Sequence, residues 1–368
     1  MRHGFFGRGS QGPGYPGLKA PRFSVPNFLS LKSLPRSAAR FCLRAERFLR
    51  NDLGLRLRGT RLLAAFSGGP DSLALTACLR IISPRIGFEL VSAHLDHGLR
   101  PQSRDEAAAA SALATELGIP CLVGRTSVPI WCRSRKMGVE EGARDLRYRF
   151  LSGVLRRSGA QWIATGHSLN DLAEDVIMRL IRGTGWPGLG GMPALDPERK
   201  LVRPMLFVSR AEIRMFLDDL GLTAIEDPSN DDPGFLRNRI RDRILPAFLE
   251  ENPNFLEAVV RLSSSSRDDE SFFRILAESR IRWRAESALV EDGCRILPRS
   301  VRLRTLKLAL ERFGGPRFQN LIRLDELWTG QKTGAVVQFP GPAYGRIKRE
   351  GVEFGPGRGP GSHHSPVS

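Results

Sequence analysis

The run Ser67-Gly68-Gly69-Pro70-Asp71-Ser72 follows an apolar stretch and opens a helical one. Two glycines let backbone N–H groups curl around a phosphate, the Ser67 and Ser72 hydroxyls add donors, and the helix N-terminus adds partial positive charge. A carboxylate inside such a cradle would repel the ligand, so Asp71 makes chemical sense with a divalent cation, Mg2+ above all, between it and the phosphates. The plain structural alternative, a Gly-Gly turn with a serine cap, explains the glycines but not Asp71. Arg144 and Arg147 stand three apart and so share a helix face, as do the carboxylates of Asp171 and Glu174. The arginines suit phosphate and the carboxylates an ammonium group, although acids in a first helical turn also complement the helix dipole. Arg237, Arg239, Arg241 and Arg243 load a further segment with charge fit for an RNA backbone, pairing with Glu226, Asp231 or Asp242 being the alternative. His94 and His97 flank Asp96 but supply too few ligands for zinc. Gly183-Thr184-Gly185-Trp186-Pro187-Gly188 matches the G-x-G-x-x-G dinucleotide pattern formally, yet it follows a helix and contains Pro187, so it reads as a loop.

These residues need a scaffold that gathers loops at one edge. Apolar runs of strand length, Leu62 to Phe66, Phe88 to Leu95, Cys121 to Thr126 and Trp162 to Thr165, alternate with helical segments from Ser72 to Ile82, Ser103 to Leu117, Val139 to Arg157 and Asn170 to Arg182. Gly118 and Gly183 stand where left-handed helix caps belong. The alternation predicts an α/β fold with a doubly wound parallel sheet, whose ligands sit at the carboxyl ends of the strands. The Ser67–Ser72 loop, His97 and His167 all fall there. After about Pro246 the pattern changes: a helix is expected behind an N-cap at Ser300, with Leu303, Leu306, Leu310 and Phe313 on its apolar face. A β-hairpin is expected from Ala335 to Phe339 and Tyr344 to Ile347. The expected organisation is therefore a basic, largely disordered extension over 1–58, a catalytic α/β domain over 59–248, a smaller and mostly helical α+β domain over 249–354, and a disordered tail over 355–368.

Of 56 Lys and Arg only 7 are lysine, and against 39 Asp and Glu they leave a net charge of +17. That surplus favours a polyanionic partner, nucleic acid before others. Residues 1–58 hold 12 Lys and Arg against two acids, Glu46 and Asp52. The prolines at 13, 16, 21 and 26 argue against the amphipathic helix of an organellar targeting signal, which stays the minority reading. Cys42, Cys78, Cys121, Cys132 and Cys294 form no C-x-x-C pair, which fits a reducing compartment, and the cytoplasm is the expected location. No stretch is apolar enough for a membrane span.

Ser67 to Ser72 resembles the S-G-G-x-D-S loop of the N-type ATP pyrophosphatases, the PP-loop enzymes, which cleave ATP between its α and β phosphates to adenylate an oxygen. Ala93 to Arg100, Ala143 to Tyr148, Thr165-Gly166-His167, Met178 to Gly183, Gly188 to Met192, Arg203-Pro204, Glu226 to Asn230 and Arg237 to Arg241 are similar to motifs of the tRNA(Ile)-lysidine synthases. They run in unbroken order from about residue 60 to 246. The resemblance implies ATP, Mg2+, free lysine and isoleucine tRNA with a CAU anticodon as ligands. It implies attack by the C2 oxygen of the wobble cytidine on the α-phosphate, and then displacement of AMP by the lysine ε-amine to give lysidine. It places Ser67, Gly68, Gly69, Pro70, Asp71, Ser72 and His97 at ATP, with Asp71 also on Mg2+, and Asp71, Arg144, Arg147 and His167 at the chemistry. Asp171 and Glu174 fall near lysine recognition, and Arg203, Asn230, Arg237, Asn238, Arg239 and Arg241 in motifs beside the tRNA. Asn170, Leu172 and Asp175 depart from the family run, where Asp, Gln and Thr are expected.

Three other functions compete. A tRNA sulfur transferase of the same fold would need paired cysteines, and an amidotransferase-type synthetase would need a glutaminase module. A non-catalytic basic RNA-binding protein would have no use for Asp71. The sequence leaves a homodimer open, and the C-terminal domain is expected to help select the tRNA.

Overall fold

The apolar runs become the middle of a six-stranded sheet. The computed structural model describes residues 31–98, 103–225, 234–315 and 317–357. Strands β1 (Arg61–Ala65), β2 (Glu89–Asp96), β3 (Cys121–Arg125) and β4 (Trp162–Ala164) are joined by β5 (Leu195–Asp196) and β6 (Leu201–Val202) in the order β3-β2-β1-β4-β6-β5. All pairings are parallel except β5 with β6 at the edge. Helices α1 (Arg36–Arg47), α2 (Pro70–Ile86), α3 (Ser103–Glu116), α4 (Val128–Arg135), α5 (Val139–Ser158), α6 (Leu169–Ile181) and α7 (Arg210–Leu220) accompany them. Alternation along β1 feeds both faces: Leu62 and Ala64 enter one core with α1, α2, α3 and α7, whereas Leu63 joins α4 and α5 in the other. Leu62, Leu63 and Ile163 are fully buried, each such burial contributing ~1.5–3 kcal/mol. This is the doubly wound sheet the alternation predicts. Its order reverses between β1 and β4, where Leu62 faces Trp162 and Ala64 faces Ala164, so the loops leaving both strands open side by side.

Helix α2 runs through Pro84, four residues beyond the expected end. Proline cannot donate to the carbonyl of Arg80, but the Ser83 hydroxyl donates to that oxygen at 3.0 Å instead. Helix α7 and the short elements α4, β5 and β6 lie outside the expected set.

The expected extension over 1–58 is corrected from Arg36 onward; residues 1–30 lie outside the described residues. Helix α1 carries Ala38, Phe41, Cys42 and Ala45 into the core, all at most 6% exposed, and the Phe41 ring stacks on Phe216 of α7 at 4.1 Å. Ser37 and Arg44 fix the helix further through Asp219 at 2.5 Å and Glu212 at 2.6 Å. Apolar residues three and four apart make one helical stripe, and the arginines around it masked that stripe in the charge count.

A helical stretch follows from α8 (Leu236–Arg239) through a π-turn over Ile240–Ile244 to α9 (Leu245–Glu251) and α10 (Phe255–Glu278). The chain divides into two compact units between Ser263 and Ser264. The second unit is α+β but holds more sheet than the one expected hairpin. Strands β7 (Ile281–Trp283), β8 (Ala288–Glu291), β9 (Val336–Phe339), β10 (Ala343–Lys348) and β11 (Gly351–Pro356) form an antiparallel sheet in the order β7-β8-β11-β10-β9. Helices α11 (Arg299–Glu311) and α12 (Phe318–Thr329) share its core through Leu306, Leu310, Leu324 and Trp328. Pro298, not Ser300, is the N-cap of α11. Strand β11 takes in Gly355 and Pro356, the start of the expected tail, and residues 358–368 lie outside the described residues. No helix among the described residues is long and apolar enough to cross a membrane.

Candidate active site

The loop after β1 is held from within. Ser72 Oγ accepts from the N–H groups of Ser67 and Gly68, both at 3.1 Å, donates to the Gly69 carbonyl at 3.0 Å, and lies 3.0 Å from Ser67 Oγ. The Ser72 hydroxyl, expected as a phosphate donor, thus serves the loop's own backbone. Gly69 caps α2 and Pro70 takes the first helical turn, where its missing N–H has no intrahelical partner to lose. Gly68 adopts φ +87°, a left-handed conformation that favours glycine. Its carbonyl accepts from Ile225 N–H at 2.9 Å. Across the switch point Gly166 lets the chain beyond β4 approach α2: a Cβ there would lie 2.9 Å from the backbone carbon and oxygen of Asp71.

Asp71 therefore sits in the first turn of α2, against the strand ends. Burial and the neighbouring Asp171 push its carboxyl up to about 6, against the pull of Arg210 and Arg241. A carboxylate with this much uncompensated charge is a hard-oxygen ligand suited to a divalent cation.

The acidic pair is differently placed from expectation. Asp171 Oδ2 accepts from the Ser168 N–H at 2.8 Å and the Ser168 hydroxyl at 2.9 Å, and the Ser168 side chain accepts in return from Asp171 N–H, a capping box that starts α6. Its Oδ1 receives Arg210 Nη2 and Arg237 Nη2, both at 2.9 Å. Glu174, wholly buried, takes Arg210 Nη1 and Arg241 Nε on Oε1 at 2.9 and 3.2 Å, and Arg237 Nε on Oε2 at 2.9 Å. Burial alone would raise Asp171, but Arg210 and Arg237 hold it down at about 2. The expected lysine carboxylates are thus occupied by three guanidinium groups, and two of the expected tRNA arginines, Arg237 and Arg241, are turned inward onto them. Of the partners that the sequence offered, Glu226 and Asp231 lie outside the described residues.

Arg203, also expected at tRNA, is 3% exposed and donates to the Pro193 carbonyl at 2.5 Å. It follows directly on β6, which carries it beneath the surface. Arg239 is exposed and donates to the Gly234 carbonyl at 2.9 Å, and Asn238 beside it is half-buried. Asn230 lies outside the described residues.

Arg144 and Arg147 remain exposed on α5. Arg144 lies over the Tyr148 ring at 5.2 Å, and Arg147 Nη2 stands 3.5 Å from His97 Nε2, which joins the loop after β2 to α5. His94 instead points inward, Nδ1 at 3.0 Å from the Phe66 carbonyl oxygen. His167 Nδ1 lies 2.8 Å from Thr165 Oγ1. Burial lowers its imidazole to about 3, Asp171 opposing and Arg203, Arg237 and Arg144 adding to the shift. His167 is neutral at working pH, so it serves as a hydrogen-bonding group rather than a cation.

Arg210 escaped the sequence reading. It bridges Asp171 and Glu174, and its own N–H donates to Asn170 Oδ1 at 2.9 Å. The Ser209 and Glu212 capping box signals the start of α7 in sequence, but nothing local shows that its first residue reaches back to α6.

Three comparisons bear on this arrangement. Residues 39–248 match the PP-loop domain family. The tRNA(Ile)-lysidine synthase of Nitratidesulfovibrio vulgaris is 36% identical over 324 residues, covering 82% of this chain and 93% of that protein. That of Symbiobacterium thermophilum is 37% identical over 81% of this chain and 67% of its own. The chain spans about half the length of the Thermosipho africanus relative, 50%, at 37% identity. The solved U34-tRNA thiolase NcsA from Methanococcus maripaludis, with its 4Fe-4S cluster, aligns at a TM-score of 0.52 with 20% identity over 62% of this chain and 78% of that one, which shows a shared fold alone. The match begins inside α1, the helix that the sequence left in the extension, and ends in α9. With this loop, this strand order and these relatives, the chain belongs to the tRNA(Ile)-lysidine synthase family of PP-loop enzymes.

Proposed function

We propose that this chain joins lysine to C2 of the wobble cytidine in isoleucine tRNA with a CAU anticodon, through an adenylated cytidine, releasing pyrophosphate and then AMP. The observation that carries the reading is Asp71 in the first turn of α2, behind a Gly-Gly loop at the switch point of the sheet. Backbone N–H groups at that helix end would hold the ATP phosphates. Asp71 would hold Mg2+, which when bound supplies positive charge against the phosphate oxygens. Arg147, exposed beside His97, and Arg144 on the same helix neutralise charge developing on the α-phosphate as the cytidine oxygen attacks and pyrophosphate leaves. His167, held neutral, orients rather than carries a proton away. Asp171 and Glu174 hold Arg210, Arg237 and Arg241 in place around Asp71, a positioning part rather than the direct ammonium contact expected from sequence.

The test is incorporation of radiolabelled lysine into unmodified isoleucine tRNA with ATP and Mg2+, using Asp71→Asn as control. Label that depends on ATP and Asp71, with CAU-anticodon methionine tRNA unlabelled, supports the ligase. Pyrophosphate release without lysine incorporation would leave adenylation and send the search to another nucleophile, sulfur included. Neither signal would favour a non-catalytic RNA binder.

A further inference from the structure

Of the six positions whose motifs pointed to RNA, Arg203, Arg237 and Arg241 face inward, which leaves Arg239 as the exposed arginine of that set among the described residues and makes further cationic surface on the first unit worth weighing. Helix α4 and its C-cap carry Arg133, Arg135 and Lys136, all exposed, and no acidic residue occurs between Arg125 and Val139. None of the three forms an ion pair among the described residues. The Arg135 guanidinium lies 3.9 Å from the Trp131 ring centre and that of Arg149 lies 5.2 Å from it. The indole is itself anchored, its Nε1 donating to Asp145 Oδ2 at 3.0 Å, and the same carboxylate accepts from Arg149 Nε at 2.9 Å on Oδ1. Trp131 therefore fixes two guanidinium planes before any ligand arrives, which lowers the ordering cost of binding one.

Lys136 ends α4 at φ +54°, a left-handed conformation in which glycine would sit with less strain. One cation at a helix C-terminus complements the helix dipole. Three, next to a half-exposed Val139 and an Ile130 that is 62% exposed, go beyond that need. Glu140 and Glu141 bound the patch on α5, and the same helix continues to Arg144 and Arg147. We propose that Arg133, Arg135, Lys136 and Arg149 form a phosphate-binding face that holds the backbone of the substrate RNA along α5, toward Arg147 and the His97 loop that it meets. The inference rests on the RNA substrate of the proposed function and deepens it, because it names where the backbone runs.

The test is fluorescence anisotropy of labelled CAU-anticodon isoleucine tRNA with the full chain, over a series of salt concentrations. The triple variant Arg133→Gln, Arg135→Gln, Lys136→Gly is expected to bind at least about tenfold more weakly, with a plot of log K against log salt shallower by about two. Its binding of an ATP analogue and its thermal midpoint should match the unaltered chain. The charge-keeping pair Arg133→Lys, Arg135→Lys should hold the original salt slope. Unchanged tRNA affinity and slope in the triple variant, while the unaltered chain binds and ligates, overturns this face and leaves the ligase standing. An unaltered chain that binds no tRNA overturns both.

Discussion

Arg237 Nε lies 2.9 Å from Glu174 Oε2, joining residues 63 positions apart in the chain. A residue whose motif points to RNA is thereby an internal cross-link between α6 and α8, and Arg210 and Arg241 complete it from two further segments. Breaking a buried pair by removing one partner leaves uncompensated charge, which costs about 3–5 kcal/mol. Glu174→Ala should lower stability in urea titration by that order. A loss under 1 kcal/mol would mean that the three arginines find water instead.

Asp71 is raised to about 6 from an ordinary value of 3.8. The folded chain then holds a proton between those values that the unfolded chain has released, so this group's contribution falls as pH rises through the window and is fully unfavourable above 6. Asp71→Asn should stabilise the ligand-free chain by about 2–3 kcal/mol at pH 7.5 and leave it unchanged at pH 3.5, while lysine incorporation collapses. Equal stability of the two chains at pH 7.5 would contradict the buried carboxylate.

His167 runs the opposite way. Its value of about 3 lies below the ordinary 6.5, so its favourable contribution is complete above 6.5 and is lost progressively as pH falls toward 3. Between pH 7 and pH 5 the unaltered chain should lose about 2 kcal/mol that His167→Gln does not lose. Imidazole NMR signals give a direct check: a His167 resonance titrating near 6.5 rules the assignment out.

Gly166 permits a contact that no side chain allows. A Cβ 2.9 Å from the Asp71 backbone must push α2 away from the end of β4, so Gly166→Ala should weaken binding of an ATP analogue by at least about tenfold and cost ~1–3 kcal/mol of stability. Calorimetric titration with the analogue reads the first effect and thermal unfolding the second. Unaltered nucleotide affinity would show that the loop tolerates the shift.

Local pattern carried much of the fold into view. β1 to β4 and α2, α3, α5 and α6 were legible because uniform apolar runs and helical spacing act over a few residues. The Ser67–Ser72 loop was legible because its glycines, serines and Asp71 adjoin in sequence. What escaped depends on partners far along the chain. The fate of Arg203 turns on β6 being two residues long, and that of Arg237 on carboxylates in another helix. Helix α1 was hidden because its stripe of Ala38, Phe41, Cys42 and Ala45 sits among arginines, and only its packing on α2 and α7 shows what the stripe is for.

The stack of Phe41 on Phe216 also bears on how the chain is made. Synthesis begins at the N-terminus, so α1 emerges well over a hundred residues before the helix whose Phe216 it stacks on. Until α7 leaves the ribosome, α1 can pack on α2 but the Phe41 ring lacks its stacking partner, so this part of the core closes late. A chaperone that shelters nascent chains would meet this protein over that interval, with the Phe41 stripe as the surface to hold.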